Sequence, residues 1–319
     1  MGTACAILLA ENPELDVSIW ANDQAVSERL NQTRVNSVLL PDISIPQRIE
    51  ITHDIAAAAR NAEFLLVAIP SQFLRVALTP LASQLPSDTP VISVVKGIEN
   101  DTFSRPSQII QQVLGQRDVV ALVGPSHAEE IARRLPCSVV AACPNLDRAR
   151  RVQDLVTTDR FRVYTIPDLI GAELAGALKN VISLAAGMCD GLGFGDNAKS
   201  TLMTRGMVEI TRFGVALGAE PETFAGLAGL GDLITSCTSR HGRNRKVGEM
   251  LGQGKTLDEI LGSVTFVAEG VSTSRAVHFL AQKLGVELPI IEQIYRVLFE
   301  GVTPLEATET LMRRPTGDE

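Results

Sequence analysis

Lys179 stands in the run GAELAGALKNVISLAAG (171–187), where no neighbour in sequence is placed to pair with it. The run predicts a helix, because Leu174, Leu178, Val181, Ile182 and Ala185 recur at helical spacing and form a buried stripe beside the lysine. Three and four residues away on the lysine's own face are Ala175, Gly176, Ile182 and Ser183, so the usual helical ion pair has no carboxylate. The small residues on that side let a second element or a ligand come close. An uncompensated ammonium with space beside it suits an anion or a reaction that develops negative charge. Taken alone, such a lysine reads more readily as one whose stem lies along an apolar edge with its head in water.

Other candidates fall where loops leave predicted elements. KGIE (96–99) puts Lys96 at the end of the apolar run VISVV, the edge at which doubly wound sheets bind ligands. GPSHAEE (124–130) supplies a tight turn at Gly124, a hydroxyl at Ser126 and free N–H groups at a helix start. SRHGRNRK (239–246) gathers Arg240, His241, Arg243, Arg245 and Lys246, a patch suited to a small phosphate; Asp232 just upstream can pair with a basic residue and hold it in place. Each has an ordinary reading as a solvated charge or a plain helix start. Two glycine-rich stretches, GLGFGDN (191–197) and GLAGLGD (226–232), imitate a dinucleotide fingerprint, but neither follows a strand, and both read as tight interhelical turns.

The elements that must position these residues divide the chain in two. Strands are predicted at 17–21, 64–70, 91–97, 119–125, 137–143 and 161–166, several apolar throughout as in a sheet covered on both faces. Helix-length segments lie between many of them, at 23–32, 55–61, 72–84, 105–115, 127–134 and 147–157, which implies a doubly wound parallel sheet over 1–167. From 168 to 319 the pattern is helical, with helices expected at 169–188, 198–217, 221–228, 243–252, 256–262, 270–285, 289–300 and 304–312, and a disordered tail PTGDE. The start is unusual for such a sheet. A helix beginning at Gly2 leads directly into the strand ending at Trp20, so the first strand of a dinucleotide fold and the first two glycines of its turn are missing.

With 29 basic and 37 acidic residues the net charge is −8, which disfavours nucleic acid and anionic membranes as partners. The five cysteines lack metal-ligand spacing, so no metal site is expected and a reducing, cytoplasmic setting is. No apolar run of membrane-spanning length and no signal peptide is read, so stable membrane insertion is not expected.

Taken together, KGIE, GPSHAEE, the run from FRVYTIPDLIG to GMCDGLGFGDN, GLAGLGDLITSCTSRHGRNRKVG and VAEG follow the order found in bacterial NAD(P)-dependent glycerol-3-phosphate dehydrogenases. The resemblance covers essentially the whole chain. It implies reduction of dihydroxyacetone phosphate to sn-glycerol 3-phosphate, feeding glycerophospholipid synthesis, with NAD or NADP as cofactor. By the resemblance Lys179 is the catalytic acid/base and Lys96 meets both substrate and cofactor. Gly124, Ser126, Asp232, Gly242, Arg243 and Asn244 hold the substrate, while Gly2, Asn22, Ala128, Arg243, Val267 and Glu269 line the cofactor site. Asn22 stands where the family commonly has Arg or His, so use of both cofactors is expected. Three positions depart from the family pattern. His127 replaces a phenylalanine, Gly242 replaces a serine before the Arg-Asn pair, and Met1 falls inside the glycine-rich turn, from which a start codon placed too far downstream is expected. The alternative is an inactive substrate-binding homologue without cofactor affinity; a 3-hydroxyacyl or 6-phosphogluconate type of dehydrogenase is disfavoured by RNR after GLGDL. A homodimer is compatible with this reading.

Overall fold

The computed structural model describes residues 1–315, so the expected disorder of the tail lies, from 316 onward, outside the described residues. The chain opens with α1 (Gly2–Leu9), then β1 (Ser18–Trp20), α2 (Gln24–Thr33), a hairpin of β2 (Val35–Asn36) and β3 (Leu40–Ser44), and β4 (Glu50–Thr52). Asp23 starts α2 by accepting a hydrogen bond from Val26 N at 2.9 Å, and Asp54 does the same for α3 (Ile55–Ala59) through Ala56 and Ala57. The three strands between 35 and 52 were not expected, because each is short and polar-rich and carries little apolar alternation.

The main sheet follows, with β5 (Leu65–Val67), α4 (Ser71–Leu78), β6 (Val91–Ser93), α5 (Pro106–Leu114), β7 (Val119–Val123), α6 (Ala128–Ile131), β8 (Cys137–Ala142), α7 (Leu146–Val156) and β9 (Phe161–Ile166). The strand order is β5-β6-β7-β8-β9. The sheet is parallel as expected except for one pair, β7 with β8, which is antiparallel. The link between those strands contains only the one-turn α6, too little to carry the chain across a sheet face, so it returns antiparallel. β1 pairs only with β4, in a separate two-stranded sheet, and among the described residues no strand joins it to β5.

Beyond β9 the described chain is helical: α8 (Leu169–Gly191), α9 (Asp196–Ala216), α10 (Pro221–Ala225), α11 (Asp232–Thr238), α12 (Arg243–Gly252), α13 (Leu257–Ser263), α14 (Glu269–Leu284), α15 (Pro289–Phe299) and α16 (Pro304–Met312). α8 is long and apolar enough to cross a membrane, yet 89% of its apolar window is buried inside the protein. It is covered on all sides rather than on one stripe, with every residue from Gly171 to Met188 buried. Its contact with α12 is backbone to backbone, since a Cβ on Gly187 would collide with the Arg245 carbonyl and one on Gly248 with the Leu184 carbonyl. The stretch 191–197 is the expected turn between α8 and α9. The stretch 226–232 is not: Leu227–Gly231 form a π-helical turn that runs straight into the unpredicted α11.

Candidate active site

Asp232, the first residue of α11, is buried between two lysines. Its Oδ2 accepts from Lys96 Nζ at 2.7 Å and its Oδ1 lies 3.2 Å from Lys179 Nζ. The partner that α8 could not provide to Lys179 therefore comes from another helix, and the basic residues that Asp232 holds are these two lysines. Lys96 also donates to the Gly124 carbonyl at 2.9 Å and the Ser126 hydroxyl at 3.3 Å, and Ser126 Oγ donates to Gly124 O at 2.8 Å. Gly124 has φ of +147°, and a Cβ there would press on Val139, so the turn that presents its carbonyl requires glycine. One turn before Lys179, Gly176 leaves space for Val123 and the stem of Lys96, while Asn180 donates to the Lys96 carbonyl at 3.2 Å.

Burial lowers the pKa of Lys179 to about 8, with Lys96 adding to the effect and Asp232 opposing it. For Asp232 burial works toward the neutral acid, but the ammonium groups of Lys179 and Lys96 outweigh it and hold the carboxyl below its ordinary value. The result is a carboxylate facing two lysines, of which Lys179 can exchange its proton near neutral pH. Lys179 Nζ also donates to the hydroxyl of Ser236, whose own carbonyl accepts from Ser183 Oγ at 2.8 Å. Ser236 was missed because α11 was missed; its spacing of one helical turn from Asp232 was the available signal.

The basic run divides by role. Arg245 is occupied by Asp190, Glu249 and the Ser239 carbonyl, and Arg240 and Lys246 are exposed. Gly242 precedes α12 as its uncapped N-cap, and a Cβ there would crowd the Ser236 carbonyl. Arg243 makes no hydrogen bond or ion pair among the described residues. Asn244 Oδ1 accepts from Gly270 N at 2.9 Å, which ties α12 to the start of α14, while its Nδ2 has no partner among the described residues. A free guanidinium, a free amide and a helix N-terminus together make an anion site.

Comparison with known proteins decides the family. The N-terminal description of NAD-dependent glycerol-3-phosphate dehydrogenase matches residues 1–149 and its C-terminal description matches 168–309. The chain belongs to the NAD-dependent glycerol-3-phosphate dehydrogenase family. Glycerol-3-phosphate dehydrogenase [NAD(P)+] of Geobacillus kaustophilus is 47% identical over 321 residues, covering 100% of this chain and 93% of the relative. That of Citrifermentans bemidjiense is 47% identical over 98% of this chain and 94% of its own length. The crystal structure of glycerol-3-phosphate dehydrogenase from Coxiella burnetii superposes with a TM-score of 0.94 at 32% identity, covering 98% of this chain and 95% of that one. A ketopantoate reductase from Ralstonia eutropha, at 12% identity and a TM-score of 0.59, shares the fold alone.

The positions that the family resemblance links to a dinucleotide lie at the sheet edge and the seam with the helices. α1 has no side-chain cap, and the N–H groups of Gly2, Thr3 and Ala4 make no hydrogen bond among the described residues, so they fit a pyrophosphate. Gly2 packs beside Ala68, just past β5. Asn22 is exposed immediately after β1, where a ribose is met in this fold. Ala128 is buried at the start of α6, and Val267 is exposed before α14. Arg243 is close enough to Met1 to help burial lower the pKa of its amino group, which places the guanidinium toward the start of α1. Glu269 is engaged rather than free: its carboxylate accepts from Ser71 N at 2.9 Å and Ser71 Oγ at 2.7 Å, so the first residue of α14 caps α4.

Proposed function

We propose that the protein reduces dihydroxyacetone phosphate to sn-glycerol 3-phosphate, reversibly, with NADH or NADPH, and so supplies the backbone of glycerophospholipids. The observation that carries this reading is the buried Lys179–Asp232–Lys96 network beside the anion site at the start of α12. The N–H groups of α1, Asn22, Ala128, Arg243, Val267 and Glu269 would hold the cofactor, with residues 1–167 as its domain and 168–319 as the substrate domain. When bound, the reduced nicotinamide supplies a hydride.

Lys179 is the acid. Its ammonium faces the substrate oxygen on which charge develops and gives it a proton, and a pKa of about 8 makes both the charged and the neutral lysine available near neutral pH. Asp232 keeps the two ammonium groups together against their repulsion. Lys96, Gly124 and Ser126 form the wall that meets the substrate at the sheet edge. Arg243, Asn244 and the α12 N-terminus, opened by Gly242, take the phosphate, and the binding energy of that remote group positions the carbonyl. The five free cysteines support a cytoplasmic setting.

The test is oxidation of NADPH and of NADH on addition of dihydroxyacetone phosphate to the full chain. Turnover with both, within a hundredfold of each other, is expected. Binding of sn-glycerol 3-phosphate without turnover with either cofactor would favour the inactive homologue instead.

A further inference from the structure

His127 carries a ring nitrogen that nothing yet described explains. Its Nε2 is shielded from solvent and has no hydrogen-bond partner, an arrangement that native interiors rarely keep without a ligand or water to complete it. The residue directly follows Ser126, the hydroxyl that receives Lys96. Its ring lies 5.9 Å from that of His241, centroid to centroid, with the planes inclined by 54°. His241 in turn stands two residues before Arg243, the first residue of α12. Two imidazoles, one from the strand-bearing half and one from the helical half, thus meet between the Lys96 wall and the anion site.

The charges around His127 set its state. Lys179 faces it from α8, Lys96 from the turn after β6, Glu129 and Glu130 from its own short helix, and His241 from the loop before α12. Burial, and then Lys179, hold its pKa below the ordinary imidazole value, with Lys96 acting the same way and the two glutamates opposing. Without a ligand these surroundings favour the neutral ring. A phosphate at the start of α12 reverses that balance, because its negative charge offsets the ammonium groups and its oxygens can accept an N–H.

We propose that His127 is a contact for the substrate phosphate that takes up a proton from solvent as the phosphate binds, with His241 packed beside its ring to hold it in place. The proposal rests on the reading of the substrate as a phosphate ester. No bond in the substrate forms or breaks in this step; one proton moves from solvent to the imidazole, which then donates to a phosphate oxygen. Substrate recognition is thereby made stronger on the acid side of neutrality than Arg243 and Lys96 alone would make it.

The experiment is titration calorimetry of sn-glycerol 3-phosphate into the full chain near pH 7.5, in buffers of differing ionisation enthalpy, with wild type, His127→Phe and His127→Gln. Wild type is expected to take up about half a proton more than either variant. In parallel, the ratio of KM for dihydroxyacetone phosphate between each variant and wild type is measured against pH, which cancels titration of the phosphate itself. The ratio is expected to be about five- to tenfold near pH 6.5 and to approach one near pH 9. Equal proton uptake in all three proteins, or a KM ratio that does not change with pH, would assign His127 to packing and overturn the proposal. Normal turnover with equal proton uptake sinks this inference alone, whereas absence of both turnover and glycerol 3-phosphate binding in wild type removes the functional reading beneath it.

Discussion

Lys179 sits on a helix covered on every side, whereas Asn22 sits beside a small interior of Ala6, Ala10, Ala21, Leu30, Ile45, Ile49 and Ile51, which Gly2's helix α1 joins through Ala6 while its Ala4 and Leu8 pack on the main sheet. Around α8 the backbones of α8 and α12 touch, and buried carboxylates and amides fix one helix on the next. Around β1 there are two short strands, a hairpin and open ladder edges. The groups proposed to handle the proton are held by close packing, which the geometry of proton transfer requires. Asn22, proposed to meet the dinucleotide, rests on a lighter frame, whose stability a bound ligand can supplement. Each region then has its own way of failing.

The largest difference is expected in catalysis. Lys179→Met should lower kcat for ketone reduction by about a thousandfold with the fold intact by circular dichroism, the range for loss of a positioned acid. Asn22→Ala should change kcat by less than about threefold and act on the cofactor KM. Comparable losses in kcat from the two variants would erase the distinction between the regions. The same lysine gives a pH signature. Reduction needs its charged form, so the rate should fall above pH of about 8, and Asp232→Asn should move that inflection to lower pH, because Asp232 raises the lysine's pKa.

Glycine separates the regions by stability. Gly248→Ala drives a methyl into the Leu184 carbonyl, with no flexible side chain to give way, and should cost about 4 kcal/mol or more. Gly2→Ala places its methyl 3.4 Å from Ala68 in ordinary contact, and should cost less than about 0.5 kcal/mol. Chemical denaturation measures both.

How much of this was readable in the residues follows the same division. α8 and the strands β5 to β9 announce themselves by apolar period, and the family motifs carried Lys96, Gly124, Ser126, Lys179 and Asp232 to one network. The pairing inside that network was not readable. Asp232 was expected to hold a basic residue without saying which, and its partners lie 136 positions away at Lys96 and across a helix contact at Lys179. α11 was hidden because the glycines before it read as a turn, although they close as a π turn that continues into helix. β2 to β4 were hidden for a different reason: strands of two to five residues leave no period to detect.

A buried carboxylate in the helical half should give a smaller effect. Glu209 on α9 accepts from Ile290 N at 2.7 Å and Ile291 N at 3.1 Å, capping α15, yet burial pushes its pKa up to about 7. A folded-state pKa above the unfolded one means that ionisation costs stability, progressively from about pH 4.5 to 7. Glu209→Gln keeps one acceptor and removes the titration. Relative to wild type it should gain on the order of 3 kcal/mol between pH 5 and pH 8, read from denaturation midpoints at the two pH values. A difference that stays constant across that range would show that Glu209 is not held protonated by burial.

The smallest effect tests whether the two regions open separately. Asp54 accepts from Ala56 N and Ala57 N at 2.9 and 3.1 Å and so begins α3, which packs beside β1 and β4. Asp54→Ala removes that cap at a cost of about 1 kcal/mol. If the light frame opens as its own unit, its amides should exchange about fivefold faster, while those in the middle of α8 keep their wild-type rates because their exchange reports a larger opening. Saturating NADPH should reverse the change in β1 and β4, since a ligand held there stabilises only the closed form. Equal acceleration in α8 would mean that both regions unfold together, and the division between a rigid proton-handling half and a ligand-supported cofactor half would not hold.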